Sequence, residues 1–197
     1  MTVTLADRGT ARDVHDLLAE RWSPRSFDPD AVLDDATLVR LLEAARWAAS
    51  AMNAQPWRFL VARRGTEAHA RLFATLAGTN QLWAGDASVL VLAVADTQDA
   101  EGNPWHYAAY DTGQAVAQLT VQAHADGLAV HQMGGFDRDA VAEAFSLPER
   151  LVPQVVVAVG TPSTPERLPD FLAERETAPR QRRELADLLL NPEDLPR

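Results

Sequence analysis

The 197-residue sequence contains no cysteine and no lysine. Without cysteine the chain has no disulfide, no thiolate nucleophile and no cysteine-ligated zinc or iron–sulfur cluster. Without lysine it has neither a Schiff-base amine nor the lysine of a P-loop. All 18 basic side chains are therefore arginines, whose planar guanidinium groups suit the bidentate recognition of phosphate.

Basic charge is also scarce, because 18 basic residues face 28 acidic ones and the formal net charge is −10. Nucleic acids and anionic membranes repel such a chain at long range, so we expect neither as a partner. The longest apolar run, residues 87–95, is too short to span a bilayer, and residues 1–11 lack the apolar segment of a secretory signal. These features and the chain length predict a soluble cytoplasmic protein with a single domain over residues 1–197.

Several catalytic motifs are missing as well. The five histidines show neither H-x-H nor H-E-x-x-H spacing, so no metal site is expected. The sequence also lacks the G-x-S-x-G elbow of serine hydrolases and the G-x-G-x-x-G fingerprint of dinucleotide-binding folds. Spacing alone therefore indicates no catalytic side chain.

The hydrophobic pattern predicts an α+β domain. Helices are expected over residues 11–20, from Asp34, from Thr66 to Gly78, from Pro104 to Asp126 and from Asp137 to Phe145. Strands are expected over residues 57–61, 87–95, 128–133 and 155–159. After Thr161 the prolines at positions 162, 165, 169 and 179 exclude long regular elements, which leaves a tail whose apolar stripe at residues 182–190 needs a surface to pack on.

Two arginine clusters stand out in this acidic chain. Arg21 and Arg25 flank Ser23 in a non-helical segment that follows the first helix, and Arg180, Arg182 and Arg183 lie near the C-terminus. Each cluster alone is typical of a solvated, salt-bridged surface. Together they have the charge to hold one phosphate, if the fold brings them together. Spacing leaves both interpretations open.

Two turns have polar groups that suit a ligand. The Gly134-Gly135 pair has free backbone N–H groups just before a helix N-terminus, which favours an electron-rich ligand edge there. Residues 53–57 put two amides and an indole into one turn. The alternative interpretation of the glycine pair is a tight strand–helix connection, and that of residues 53–57 is a helix stop.

The order of these segments resembles the FMN-dependent nitroreductase family. The resemblance runs from Arg21 to about Leu189, nearly the whole chain, and depends on the ordered set more than on any one motif. The matching segments are residues 21–27 (RWSPRSF), 41–59 (LLEAARWAASAMNAQPWRF), 111–115 (DTGQA), 133–136 (MGGF) and 179–182 (PRQR).

The resemblance implies a fold and an assembly. The fold would be a central, mostly antiparallel sheet flanked by helices. The protein would be a homodimer in which a C-terminal arm, from about residue 170 to 197, crosses to the partner. This arm would account for the tail that the pattern leaves without a packing surface.

The resemblance also implies a set of FMN contacts. The phosphate and ribityl chain would be held by Arg21, Ser23, Arg25, Arg180 and Arg182. Trp22 lies in the same segment, at the position where the family has a second basic residue, so weaker phosphate binding is expected.

The remaining contacts implied by the resemblance surround the flavin ring. Four residues would reach it from the other subunit: Ala49, where the family often has proline, Ser50, Ala51 and Asn53. Gly134 would donate its backbone N–H toward flavin N5, with Met133 and Gly135 beside it. Asn80 would contact the pyrimidine side of the ring.

The activity implied is hydride transfer from NAD(P)H, through bound FMN, to a nitroaromatic, quinone or similar small-molecule acceptor by a ping-pong mechanism. The flavin performs that chemistry while the protein binds and orients it. The polar segment 96–106 is expected to form one wall of the acceptor pocket. The alternative is a protein that binds or sequesters flavin without appreciable NAD(P)H turnover.

Overall fold

The computed structural model describes residues 14–191 and residue 193. Its helices are α1 (Asp16–Ala19), α2 (Asp35–Arg46), α3 (Glu67–Ala74), α4 (Gly78–Gln81), α5 (Ala108–Ala125), α6 (Arg138–Ala144) and α7 (Asp170–Thr177). Its strands are β1 (Trp57–Arg63), β2 (Val89–Asp96), β3 (Ala129–Met133) and β4 (Leu151–Gly160). Short 3₁₀ turns cover Ala51–Asn53, Ala84–Asp86, Pro165–Arg167 and Leu185–Leu188.

The four strands form one sheet in the order β1-β2-β4-β3, and every neighbouring pair is antiparallel. All eight residues of β2 are buried, which explains its uninterrupted apolar sequence, because both faces of this central strand are covered. β1 and β3 are the two edge strands. The expected antiparallel sheet flanked by helices is confirmed.

Each face of the sheet has its own core. On one face α5 packs against the sheet and α2 packs against α5, and Leu41 and Leu119 are fully enclosed there. On the other face the core contains Phe27, Leu72 and Trp83, and α3 and α6 lie on this side. At the end of β4 the chain closes tightly, because a Cβ on Gly160 would lie 3.0 Å from the backbone nitrogen of Ser88.

Local signals placed most helix starts correctly. Asp34, Thr66 and Asp137 each accept a hydrogen bond from a backbone N–H in the first turn of the helix that follows. Such caps satisfy N–H groups that have no partner within the helix.

Some predicted boundaries are wrong. The helix expected from Pro104 begins at Ala108, because Pro104 pairs with Gln98 in an isolated β-bridge. The third helix ends at Ala74, and Gly78 starts the separate helix α4 instead of closing α3. Strand β4 begins at Leu151 rather than at residue 155. Residues 11–13 of the first predicted helix lie outside the described residues.

The tail divides into two parts. A proline-led turn at Pro165–Arg167 precedes α7 and turns the chain back onto its own body, where Leu172 is fully buried. The part of the expected arm that contains Leu172 therefore packs on its own chain and needs no partner to be buried. Beyond Arg182 the side chains of Leu185, Leu188 and Leu190 are exposed. An arm that crosses to a partner stays a prediction and would begin after Arg182.

Within the part of the chain that the structure describes, no helix combines the length and the apolar character required to cross a membrane. The same described residues contain no group of three or more histidine or acidic side chains that could hold a metal ion.

Candidate functional site

The fold brings the two arginine clusters together. One open cavity of about 280 Å³ is lined by residues from both ends of the chain. The opening segment contributes Arg21, Trp22, Ser23 and Arg25. The tail contributes Arg175, Glu176, Ala178, Pro179, Arg180 and Arg182.

Arg180 joins the tail to the opening segment. Its guanidinium group donates hydrogen bonds to the carbonyl oxygens of Ala19 and, at 2.8 Å, of Arg21. Arg21 in turn donates from Nη1 to Ser23 Oγ at 3.3 Å. Arg180 therefore shapes the cavity by fixing the backbone, in addition to contributing charge.

Arg25 is held by a buried carboxylate of α7. Its backbone N–H donates to Glu176 Oε1 at 2.9 Å, and its guanidinium group lies 3.6 Å from Glu176 Oε2. Glu176 is only 2% exposed. Sequence reasoning missed this residue, because no local pattern indicates that a glutamate of the tail reaches the opening segment.

The cavity is strongly cationic. Its lining includes five arginines and a single carboxylate, in a chain whose net charge is −10. Burial, reinforced by the positive charges of Arg182 and Arg180, lowers the pKa of Arg21. A bound dianion would relieve this repulsion, and guanidinium groups beside a hydroxyl suit a phosphate.

The glycine turn lies at the end of β3. The Gly135 carbonyl accepts hydrogen bonds from Asn80 Nδ2 at 3.0 Å and from the Ala77 backbone N–H at 2.9 Å. Asn80 therefore lies beside the turn and holds it in place. Gly134 is exposed, and a Cβ there would meet nothing within 4 Å, so its backbone is open to a ligand.

The edge strand β3 connects the cavity to this turn. His131 Nδ1 donates to the Pro24 carbonyl at 2.9 Å, and the His131 ring packs on Trp83 with the ring centroids 4.5 Å apart. A strand rises about 3.3 Å per residue, so His131 and Gly134 are about 10 Å apart along β3. The arrangement suits an elongated ligand with a phosphate at one end.

A third set of predicted contacts lies elsewhere. Ala49, Ser50, Ala51 and Asn53 precede β1, at the opposite edge of the sheet from β3. Three strand spacings separate these edges by about 14 Å. Within one chain the structure does not bring these four residues to the arginine cavity, so their contact with a flavin of a second subunit stays a prediction.

The segment 96–106 forms a closed loop at the same end of the sheet as residues 49–53. Asp96 is buried between Arg58, at 3.2 Å, and Arg150, at 3.6 Å. Asp99 closes the loop by accepting the Asn103 backbone N–H at 2.7 Å. Its role as a wall of an acceptor pocket stays a prediction.

His131 makes the stability of the folded protein depend on pH. Burial, the largest effect, lowers the pKa of His131 to about 4. As the pH falls from the ordinary histidine value of 6.5 toward about 4, only the unfolded chain takes up this proton. We expect the folded state to lose up to about 3 kcal/mol of stability over this range.

Urea unfolding between pH 7.5 and pH 4 measures this loss. His131→Gln should reduce the acid-dependent loss, and His106→Gln, at an exposed histidine, should leave it in place. An identical pH slope in His131→Gln and the wild type would contradict the prediction.

Comparison with known proteins identifies the family. The model of the nitroreductase family matches residues 18–161. The chain belongs to the nitroreductase family. This match includes the opening segment and the glycine turn, whereas Arg180 and Arg182 lie beyond it.

Individual relatives of this nitroreductase-family chain agree. A crystal structure of an oxidoreductase containing FMN superimposes with a TM-score of 0.88 and 37% identity over 96% of each chain. An uncharacterized 15.4 kDa protein of Mycolicibacterium smegmatis is 40% identical over 132 residues, 64% of this chain and 88% of its own. YdgI of Bacillus subtilis, named as an NAD(P)H nitroreductase, is 28% identical over 185 residues, 75% of this chain and 88% of its own.

Proposed function

We propose that the chain is an FMN-dependent NAD(P)H oxidoreductase that reduces a nitroaromatic, quinone or similar acceptor. The observation that carries the proposal is the arginine cavity, which the fold assembles from the two ends of the chain and connects along β3 to an open glycine turn. The FMN in the related crystal structure and the activity named for YdgI support the same function. When bound, FMN supplies the redox chemistry, taking a hydride from one substrate and passing electrons to another.

The phosphate of FMN would bind in the arginine cavity. Arg21, Ser23, Arg25 and Arg182 would supply charged and hydroxyl donors, and Arg180 would hold the opening segment in place. Trp22 lines the same cavity as an aromatic wall without charge. The cavity suits FMN better than FAD, because the sequence has no fingerprint for an adenosine half.

The flavin ring would lie at the end of β3. The backbone N–H of Gly134 would donate to N5, with Met133 and Gly135 on either side of the contact. Asn80, which holds the Gly135 carbonyl, would approach the pyrimidine edge. A donor at N5 stabilises the electron-rich reduced ring, which is the role of a positioned dipole at developing charge.

The protein would act as a homodimer of single-domain subunits. Ala49, Ser50, Ala51 and Asn53 of each chain would complete the flavin site of its partner, since they lie at the far edge of their own sheet. The exposed leucines after Arg182 would pack on the partner. No side chain would act as an acid or base, because solvent can supply the protons.

The cofactor and the turnover provide the test. We expect purified protein to be yellow and to release FMN on denaturation. NAD(P)H oxidation should give parallel double-reciprocal lines with quinone or nitroaromatic acceptors, since both substrates would use one flavin face in turn. Bound FMN without turnover would favour the flavin-sequestering alternative. Recovery of FAD, or protein that stays colourless when FMN is added, would overturn the proposal.

A further inference from the structure

We propose that Asp111 is a positioning residue that holds residues 50–55 in the conformation required by the flavin site. The inference rests on the proposed function, in which this turn reaches the flavin of the partner. It concerns a side chain that lies outside the arginine cavity and the glycine turn.

The turn has a strained backbone. Met52, Asn53 and Gln55 have φ angles of +53°, +56° and +48°, in the left-handed region that favours glycine. For Met52 and Gln55 this conformation costs about 1–2 kcal/mol, whereas asparagine, as at position 53, adopts it more readily. Two such strained residues within four positions persist only when surrounding contacts hold them, and such strain concentrates at functional sites.

Asp111 provides one of these contacts. Its Oδ2 accepts the backbone N–H of Ala51 at 3.0 Å, and Asp111 is only 3% exposed. Asp111 lies in the first turn of the 18-residue helix α5, where the helix dipole favours a carboxylate. Because α5 packs on both α2 and the sheet, the carboxylate is fixed to the rigid body of the molecule.

A second contact closes the turn on itself. Ser50 Oγ accepts the backbone N–H of Gln55 at 3.0 Å. This bond constrains the shape of the turn, but both of its partners belong to the turn. Arg58 of β1 holds the end of the turn, since its Nη1 donates to the Gln55 carbonyl at 3.0 Å. Asp111 is the side chain that ties the start of the turn to helix α5.

Loss of this anchor would displace the proposed flavin contacts. The turn faces outward, with the Met52 side chain fully exposed at its tip. Without the bond to Ala51, the turn can relax toward ordinary negative φ values, which moves Ser50 and Asn53 together. The arginine cavity, at the other edge of the sheet, would keep its geometry.

The test compares FMN with riboflavin, which lacks the phosphate. We expect Asp111→Ala to weaken binding of both flavins by the same factor, about 10- to 100-fold. Asp111→Asn should restore both affinities to within about threefold of the wild type, because an amide oxygen can accept the same N–H. Arg182→Ala should weaken FMN binding alone.

Thr112→Val is the matched control. It alters the next residue of α5, whose fully buried hydroxyl has no hydrogen-bond partner among the described residues, and should leave both affinities unchanged. If Asp111→Ala does not fold, Ala51→Pro removes the N–H while keeping the carboxylate. Ser50 is already extended, as a residue before proline requires, and Ala51 starts the 3₁₀ turn, so the substitution is compatible with the backbone. This substitution should weaken the binding of both flavins equally.

The outcomes separate the two proposals. A wild-type protein that binds neither flavin overturns the proposed function. A wild type that binds FMN, with Asp111→Ala or its substitute Ala51→Pro binding both flavins normally, overturns the role of Asp111. So does an Asp111→Asn protein as weak as Asp111→Ala, because the charge rather than the hydrogen bond would then be decisive.

Discussion

Replacing Arg21 and Arg182 together with alanine is expected to weaken FMN binding by about two to four orders of magnitude. Each guanidinium contact with the phosphate should contribute about 1.5–3 kcal/mol, and each 1.4 kcal/mol is a factor of about ten in affinity. Both residues line the cationic cavity, and the charge of Arg182 acts on Arg21. Arg180 is a poorer choice for this test, because its removal would also free the carbonyls of Ala19 and Arg21.

Equilibrium titration of the apoprotein with FMN and with riboflavin measures the effect. The double variant should lose affinity for FMN while its affinity for riboflavin stays near the wild-type value. Arg183→Ala is the matched control, since it removes one positive charge from the exposed residue next to Arg182. Tight FMN binding by the double variant would show that the phosphate binds elsewhere.

Leu172→Ala is expected to reduce the free energy of unfolding by about 2–5 kcal/mol. Leu172 is fully buried in the core of the sheet face that contains Phe27 and Trp83, so its truncation leaves a cavity. The neighbouring Phe171 is 46% exposed, and Phe171→Ala should cost clearly less. Urea denaturation of both variants provides the comparison. Equal losses would mean that α7 does not dock on its own chain as described.

Two truncations separate the parts of the tail. A chain that ends at Pro169 loses Leu172, the pairing of Glu176 with Arg25 and the Arg180 contacts, so it should lose both stability and FMN. A chain that ends at Arg182 keeps these contacts and should keep its fold while it loses the dimer. Light scattering and thermal unfolding test both, and a chain ending at Arg182 that remains dimeric would contradict the proposed arm.

The sequence by itself determined the local structure and the family. Side chains such as Asp34 and Thr66 cap the helices that follow them, and the apolar run of β2 forms the central strand. These outcomes depend on neighbours within a few positions, where propensity and hydrophobic periodicity act. The order of short motifs from Arg21 to the tail was sufficient to indicate the nitroreductase family.

Only the tertiary structure decided which distant residues meet. Arg180 reaches the carbonyl of Arg21 across 159 positions, Glu176 reaches Arg25 across 151, and Asp111 reaches Ala51 across 60. No local pattern encodes these pairs, because they depend on the strand order and on the packing of whole helices against the sheet. The same reason explains why the sequence did not predict that α7 docks on its own chain. The prolines before it correctly exclude one long helix, but the burial of Leu172 depends on a core that forms only when the whole sheet is assembled.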